Sequence, residues 1–399
     1  MSEQYNKTCL LPMHNVIQDY AWGSRTSVSQ LFGFANDNQQ PQAEVWMGAH
    51  PNGCSHVEVA GESLLLSDFI AYDPQKVLAN AYHAFGELPY LFKILAAEKA
   101  LSIQVHPSKT QAEEGFAREE KAGIELKAFD RNYKDPNHKP ELVYALTSYQ
   151  AMNGFRNFEE IITLFKKLNS RALAPLVTQF QASPDSAGLE QFFSALLSLE
   201  QQVRKTAVDE LLDFASRNTD EEIWRLILEL AEQYPGDIGL FCPLMLNVLT
   251  LNPGEAMYLD AQTPHAYIKG TGLEIMANSD NVLRAGLTPK YMDVKELVKC
   301  TRFEPKLFDS LLITPEVHNN VQSYFVPIKD FKFSVINGAQ SLHIDSTSAD
   351  ILLAIDSDVL ISHKNGEQLT ISKGQSVFIP AYADGYLVSS EGRVARAYY

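Results

Sequence analysis

The chain has 399 residues, 45% of them hydrophobic and 21% charged, which is an ordinary globular composition and excludes disorder as its main state. Its formal net charge of −16 at pH 7 argues against a nucleic-acid or anionic-membrane surface, since both need basic patches. No apolar run approaches the length of a membrane span, and the N-terminus lacks a signal-peptide core. The four cysteines show no CxxC spacing. We therefore expect a cytoplasmic protein with reduced thiols and with no nucleic-acid or membrane partner.

The predicted elements change character along the chain. Short β-like runs punctuated by Gly and Pro occupy residues 1 to about 150, interrupted by a predicted helix over 108–128 with Glu and Lys on its polar face. From about 155 to 235 the apolar residues recur at helical spacing, and Asn157 with Glu160 forms a capping-box-like start. We therefore expect a helical block of roughly 80 residues between β-rich regions.

The second half of the chain returns to strand patterns. Strand character runs from 241 to 275, a short helix is predicted over 293–299, and strands separated by turns follow from about 325 onward. Regularly spaced short strands with turn signals are typical of a β-sandwich or jelly roll. The order of elements thus predicts a mainly β fold with an α-helical insert.

One internal repeat predicts two related β-domains. Residues 251–261 align without gaps on residues 371–381, with two identities, and both segments predict a turn, a glycine and then a strand with an apolar end. If the alignment holds, His265 falls opposite Gly385. The second domain would then lack any side-chain site that the first domain carries.

Three short strings carry residue types that bind metals. Gln104 and His106 are two apart on a predicted strand, so their side chains face the same side. Glu141 follows a charged string around a proline, and His265 follows the repeated strand. Each string by itself also fits a buried histidine or a solvated loop. Together, two imidazoles, a carboxylate and an amide oxygen suit Zn²⁺ or another borderline divalent metal, and the same set also suits the iron of an oxygenase.

A fourth string, at 278–290, is polar and rich in turn residues. Arg284 lies in it between Leu283 and Ala285, which is an unusual place for a charge that only faces solvent. A guanidinium with two parallel donors suits phosphate or a developing oxyanion. An ion pair with a neighbouring acid is the structural alternative.

At these strings the chain resembles the type I mannose-6-phosphate isomerases (phosphomannose isomerases). The resemblance covers most of residues 10–300 and rests on several long motifs in the same order. The motifs lie at 19–23, 43–51, 89–95, 104–107, 139–141, 264–267 and 283–290. The helical block and the last 80 or so residues carry little of the resemblance.

The resemblance implies two cupin-type jelly-roll barrels with a helical domain inserted in the first. The expected divisions are a catalytic cupin domain in two parts (1–153 and 239–318), a helical domain (154–238) and a C-terminal jelly roll without a metal site (319–399). It further implies one Zn²⁺ per chain, held by Gln104, His106, Glu141 and His265.

The implied reaction interconverts mannose 6-phosphate and fructose 6-phosphate, for mannose metabolism or the supply of GDP-mannose. Such an isomerisation moves a proton between C2 and C1 through an enediolate. We expect Arg284 to stabilise the enediolate charge. The base stays open among His138, Lys139 and Asp280, which are all family candidates.

The substrate is expected to be a small sugar phosphate, bound in an acidic protein by a few local donors. Lys93, Ser102 and Lys109 lie near the metal strand in sequence and are predicted to contact the substrate, with Lys290 as a further candidate. Trp22 is predicted to form a wall against the sugar. An iron-dependent cupin oxygenase and a non-catalytic sugar-phosphate-binding cupin are the alternatives. The sequence does not determine the oligomeric state, and a monomer is compatible with it.

Overall fold

The strands of this protein pair into two antiparallel sheets. The structure is a computed structural model and describes residues 8–399. In chain order the strands are β1 (Leu11–His14), β2 (Val16–Gln18), β3 (Glu44–Met47), β4 (His56–Val59), β5 (Glu62–Leu65), β6 (Tyr90–Ala97), β7 (Ile103–Val105), β8 (Glu141–Ala145), β9 (Tyr149–Phe155), β10 (Leu246–Leu251), β11 (Ala256–Leu259), β12 (His265–Ala277), β13 (Leu283–Gly286), β14 (Glu316–His318), β15 (Val321–Tyr324), β16 (Lys332–Ile344), β17 (Asp350–Ala354), β18 (Val359–Ser362), β19 (Gln368–Ile371), β20 (Ser376–Ile379) and β21 (Tyr386–Tyr398).

Within the described residues one sheet has ten strands and the other eleven. The ten-stranded site sheet follows the order β10-β9-β12-β6-β3-β2, and the strands β7, β8, β11 and β13 attach beside this path. The eleven-stranded C-terminal sheet follows β14-β15-β16-β21-β17-β20-β1-β4-β5, and beside this path β18 pairs with β21 and β19 pairs with β18. The strands β1, β4 and β5 therefore join the C-terminal sheet although they lie near the N-terminus. The sequence pattern did not predict this pairing, because Leu11 and its partner Phe378 are far apart in the chain.

Helices fill the connections, and half of the α-helices in the described residues lie between β9 and β10. They are α1 (Ser27–Phe32), α2 (Leu66–Tyr72), α3 (Pro74–Leu78), α4 (Asn80–Phe85), α5 (Lys109–Lys121), α6 (Phe158–Leu168), α7 (Ala174–Ala182), α8 (Ser186–Leu197), α9 (Gln201–Arg217), α10 (Glu222–Gln233), α11 (Cys242–Met245) and α12 (Val294–Cys300). In the block α6–α10, the ring of Phe192 lies 4.9 Å from that of Phe165 and 5.3 Å from that of Phe180. A mainly β fold with a helical domain is confirmed.

Three local details differ from the sequence-based expectation. The strand expected from 241 begins only at Leu246, because residues 238–245 form a 3-10 turn and then the short helix α11. The helix predicted over 108–128 ends at Lys121, and Gly123 then adopts a φ of 72°. Asn157 does precede α6, but its side chain makes no capping hydrogen bond. The capping box lies instead at the start of α5, where Ser108 and Gln111 bond each other's backbone. Periodicity located the helices, whereas the caps depend on side-chain rotamers that the pattern does not contain.

The internal repeat corresponds to matching pieces of the two sheets. Strands β10 and β19 end at the aligned residues Leu251 and Ile371, and the aligned strands β11 and β20 have equal bounds in the repeat. Gly254 and Gly374, aligned in the turn between them, both have positive φ values of 96° and 84°. Both turns therefore use the left-handed backbone that glycine adopts without strain.

The two sheets meet through an apolar interface. The rings of Phe92 and Phe333 lie 6.0 Å apart across it, and the Tyr324 hydroxyl donates to the Gly254 carbonyl at 3.0 Å. The buried Tyr90 hydroxyl donates to the carbonyl of Ala397 at 2.9 Å. These contacts hold the C-terminal sheet against the strands that carry the site. In residues 8–399 no helix is long and apolar enough to cross a bilayer.

Candidate active site

Three buried side chains of metal-binding types meet where neighbouring strands of the site sheet begin or end. His106 follows the last residue of β7, Glu141 begins β8 and His265 begins β12. The Nε2 atoms of His106 and His265 lie 3.3 and 3.5 Å from the two carboxylate oxygens of Glu141. Their potential ligand atoms all lie within 4.8 Å of one another. Such a convergence of two imidazoles and a carboxylate can hold a divalent metal.

The histidines are oriented for metal binding. The Nδ1 atom of His106 donates to the Asn281 carbonyl at 2.6 Å, and that of His265 donates to the Thr263 carbonyl at 2.9 Å. A carbonyl can only accept, so each Nε2 keeps its lone pair. The buried Nε2 of His106 has no hydrogen-bond partner, and burial lowers the pKa of His106 to about 4. A neutral, unsatisfied nitrogen at this place fits a metal ligand.

Glu141 is held as a carboxylate. Burial alone would raise the pKa of Glu141, but the Lys139 ammonium holds it well below its ordinary value. The Lys139 Nζ atom lies 3.1 Å from one carboxylate oxygen, and the Tyr267 hydroxyl lies 2.8 Å from the other. The site therefore keeps an anionic oxygen ligand although it is buried.

Gln104 and Arg284 are neighbours of the metal cluster through strand pairing. Gln104 on β7 pairs with His265 on β12 and with Arg284 on β13. The side chains of Gln104 and Arg284 both line the cavity in front of the cluster. Residues from three strands are thus brought to one wall.

The cavity beside the cluster has a volume of about 420 Å³, enough for a small sugar phosphate. Most residues predicted from the sequence to act in the site lie on its wall. They are Trp22, Lys93, Ser102, Gln104, Lys139, Glu141, His265, Asp280, Arg284 and Lys290. His106 is buried directly beside Glu141 and His265.

Besides the buried His106, two residues predicted for the site do not line this cavity. The Nε2 atom of His138 lies 2.8 Å from Asp330, on the side of the C-terminal sheet. The Lys109 ammonium donates to the Pro136 carbonyl and to the Asn137 side chain, both at 3.0 Å. Closeness in sequence does not by itself place a side chain in the cavity, because backbone direction decides which way it points, and the roles predicted for these two residues stay predictions.

Lys93 lines the cavity with its charge already paired. Its Nζ atom lies 2.9 Å from Glu274 and 3.6 Å from Glu44. Burial would lower the pKa of Lys93, but these two carboxylates raise it above its ordinary value. The Trp46 indole donates to Glu44 at 2.7 Å. Lys93 therefore belongs to a buried network of ion pairs and hydrogen bonds. Two carboxylates already balance its positive charge, so it is less available to an anionic ligand.

Tyr267 and Glu274 are cavity residues that the sequence reasoning missed. The Tyr267 hydroxyl lies 2.8 Å from oxygens of both Glu141 and Glu274, which connects the metal cluster to the Lys93 network. Burial raises the pKa of Glu274. The sequence contained a sign of each. Tyr267 is two residues from His265 on one strand, so both face the same side, and Glu274 is a charged residue inside an apolar run.

The cations facing the cavity without a partner are Arg284 and Lys290. Within residues 8–399 neither side chain forms an ion pair or a side-chain hydrogen bond, and burial lowers the pKa of each. In a chain of net charge −16, two unpaired cations on one wall indicate an anionic ligand. The ion-pair alternative for Arg284 is not observed.

Fold and site together first define a class, namely a jelly-roll protein with a two-histidine, one-carboxylate metal centre facing an open cavity. Comparison with known families identifies one family within this class. Residues 10–158 match the phosphomannose isomerase type I catalytic domain, residues 164–246 its helical insertion domain, and residues 320–399 the mannose-6-phosphate isomerase cupin domain.

Whole-chain relatives agree with this match. The chain is 46% identical to mannose-6-phosphate isomerase of Salmonella typhimurium over 96% of this chain and 98% of that protein. It is 35% identical to human mannose-6-phosphate isomerase over 93% of each. The protein belongs to the type I phosphomannose isomerase family, and the resemblance read from the motifs is confirmed.

Solved structures share the entire fold. A zinc-bound mannose 6-phosphate isomerase superposes with a TM-score of 0.93 at 45% identity, covering 98% of this chain and 99% of that chain. The crystal structure of a mutant of phosphomannose isomerase from Salmonella typhimurium gives a TM-score of 0.95 at 44% identity with the same coverage.

Proposed function

We propose that this protein is a zinc-dependent aldose–ketose isomerase that interconverts D-mannose 6-phosphate and D-fructose 6-phosphate. The carrying observation is the buried cluster of His106, Glu141 and His265, which stands beside a cavity with two unpaired cations. Family membership over nearly the whole chain supports the substrate and the reaction. All residues in the proposal come from one chain, so a monomer would suffice.

The proposed cofactor is one Zn²⁺ per chain, bound by His106, Glu141, His265 and Gln104. The first three form the observed cluster, and the pairing of Gln104 with His265 supports the amide as the fourth ligand. When bound, zinc supplies a Lewis acid that polarises substrate oxygens. Structural zinc sites commonly use thiolate ligands. A weak amide ligand at this place is therefore more consistent with a zinc site that binds substrate.

Arg284 is proposed to stabilise the charge that develops on O1 and O2 of the sugar. Its guanidinium is partly buried and unpaired, and its strand position adjoins Gln104. Donors fixed in a site of low dielectric need no reorganisation during the reaction, which makes them effective. Lys290 and Ser102 are proposed to bind the phosphate, and Trp22 is proposed to flank the sugar ring.

Lys139 and Asp280 are the proposed candidates for moving the proton between C2 and C1, because both face the cavity. The Asp280 carboxylate accepts from Asn52 at 2.9 Å and lies 3.5 Å from His50. His138 points away from the cavity, which leaves it outside this pair. Loss of turnover with retained zinc in Lys139→Met but not in Asp280→Asn, or the reverse, identifies the group.

The division of the chain into catalytic, helical and C-terminal domains remains part of the proposal, as does a cytoplasmic location. In residues 8–399 no disulfide is formed, which is compatible with a reducing compartment. The contribution of β1, β4 and β5 to the C-terminal sheet supports assigning these three strands to the C-terminal domain.

The test is conversion of mannose 6-phosphate to fructose 6-phosphate before and after chelation and after zinc is added back. Loss on chelation and recovery with zinc is the expected result. An inactive, folded, zinc-loaded protein would overturn the proposal. Metal analysis showing iron together with oxygen uptake would then indicate an oxygenase, and binding of the sugar phosphate without turnover would indicate a non-catalytic cupin.

A further inference from the structure

A buried carboxylate of the C-terminal sheet contacts the edge of the active site. Asp330 lies just before β16 and is 5% exposed. The next residue, Phe331, is packed in the apolar core shared by the two sheets, which places Asp330 at their boundary. Its Oδ1 atom lies 2.8 Å from the Nε2 atom of His138. A buried carboxylate with a hydrogen-bonded imidazole forms a directional contact across the boundary.

The contact acts on the segment that presents Lys139 to the cavity. The residue before a proline is restricted to extended backbone, and Lys139 precedes Pro140. In an extended segment successive side chains point to opposite sides. Lys139 accordingly faces the cavity and Glu141, while His138 faces Asp330. Fixing the imidazole on one side therefore restrains the backbone from which the Lys139 side chain extends on the other.

The flanks of this segment are held by other contacts. Upstream, the Asn281 amide donates to the carbonyls of Asp135 and Asn137 at 2.7 and 2.8 Å. Downstream, Glu141 is held by the pairing of β8 with β11 and β12. Between these flanks, the Lys139 ammonium pairs with Glu141, the His138 N–H donates to the Asn137 side chain at 3.0 Å, and Asp330 restrains the His138 imidazole.

We propose that Asp330 is a positioning residue of the active site, acting through His138 to hold Lys139 in its catalytic orientation. The C-terminal sheet, which has no metal cluster in the described residues, would then contribute to turnover through this one carboxylate. The inference rests on the proposed isomerase function and on the proposed place of Lys139 beside the reacting carbons.

The test compares Asp330→Ala and Asp330→Asn with the wild-type holoenzyme. Partners that orient a site group without touching the substrate typically matter about 10- to 100-fold, so we expect kcat of Asp330→Ala to fall by that factor. KM should stay within about twofold, because the phosphate and sugar contacts are unchanged. Zinc content should remain one per chain, since strand pairing holds Glu141. Asp330→Asn, which can still accept a hydrogen bond, should lose less.

Tyr324→Phe is the matched control. It removes another buried contact between the sheets, the hydrogen bond to Gly254, far from the cavity wall. Both variants should lower the unfolding temperature, but only Asp330→Ala should lower kcat. Equal kcat in Asp330→Ala and wild type, or losses in both variants that follow their stability, would overturn the proposal.

A double variant tests the route through His138. If Asp330 acts through the imidazole, Asp330→Ala should change kcat by less than about twofold in a His138→Ala background. A further loss as large as in the wild-type background would contradict the proposal. Turnover of the wild type is measured first. Its absence would count against the isomerase function, whereas unchanged turnover in Asp330→Ala counts only against the positioning role.

Discussion

The site sheet and the C-terminal sheet repeat a strand arrangement but differ in what fills them. The aligned strands β11 and β20 follow equivalent glycine turns, and β12 and β21 both begin shortly after them. At the start of β12 stands His265, whereas the aligned position before β21 is Gly385, which has no side chain. The shared strand arrangement therefore occurs with and without a histidine at this position, and the candidate site depends on a few side chains placed on it.

The two sheets also differ in the side chains that they bury. One apolar cluster of the C-terminal sheet consists of side chains such as Ile361, Ile371 and Val388. The site sheet instead buries His106, Glu141 and the Lys93 network next to its cavity. Buried ionisable groups are costly unless they are paired, and in the site sheet they pair with one another. Both sheets bury charge, as the pair of Asp350 and Arg396 in the C-terminal sheet shows, but the unpaired Arg284 of the site sheet marks the place kept for a ligand.

The largest effect expected from this difference concerns the histidines. His265→Ala should abolish zinc retention and lower kcat by at least about 10³-fold, because the ligand and the Lewis acid are lost together. His363→Ala, in the C-terminal sheet, removes a hydrogen bond to Ala383 and should leave both values near wild type. Zinc analysis and initial rates on the two purified variants check this. Full activity in zinc-loaded His265→Ala would contradict the site.

Arginines on the two sheets should behave in opposite ways. Arg284→Ala should retain zinc and lower kcat by about 10²- to 10³-fold, as expected for the loss of a preorganised oxyanion donor. Its stability to urea should not decrease, since the guanidinium makes no ion pair in the free protein. A variant with wild-type turnover would remove Arg284 from the mechanism.

Arg396 is the counterpart in the C-terminal sheet. Its guanidinium lies 2.8 Å from the fully buried Asp350, which also accepts from the Tyr386 hydroxyl at 2.6 Å. Arg396→Met should destabilise the fold by about 3–5 kcal/mol, because it leaves a buried carboxylate without its partner. Turnover per folded molecule should be unchanged. Urea unfolding with parallel rate measurements distinguishes the two arginines, and loss of turnover without loss of stability would reverse their assignment.

A smaller, pH-dependent effect is expected from Lys306, next to the site sheet. Burial lowers the pKa of Lys306 from 10.5 to about 8, and its ammonium donates to Asn153 and to the Tyr258 carbonyl. Between these values the unfolded chain binds more protons, so the stability contributed by this residue increases as pH rises, by at most about 3 kcal/mol. Lys306→Met should lack this increase. Urea unfolding of both proteins at about pH 7 and about pH 10 measures the difference, and parallel pH profiles would contradict it.

Local patterns were sufficient for much of the fold. The predicted strand β7 contains Gln104 but ends at Val105, one residue before His106, and amphipathic spacing located the helices between β9 and β10. The repeat at 251–261 and 371–381 matched corresponding strands because turn and strand preferences act over a few residues. The ligand roles themselves stay predictions until zinc binding is measured on variants.

By itself, the sequence determined the fold class, the helical block and the set of residue types able to bind a metal. Only the tertiary structure decided that β1 joins the C-terminal sheet, that Lys93 is paired while Arg284 is not, and that His138 faces Asp330. The physical reason is the sequence distance over which each property acts. Propensity and periodicity are properties of neighbouring residues, whereas the partner of a buried charge is chosen among residues that the chain brings together from far apart.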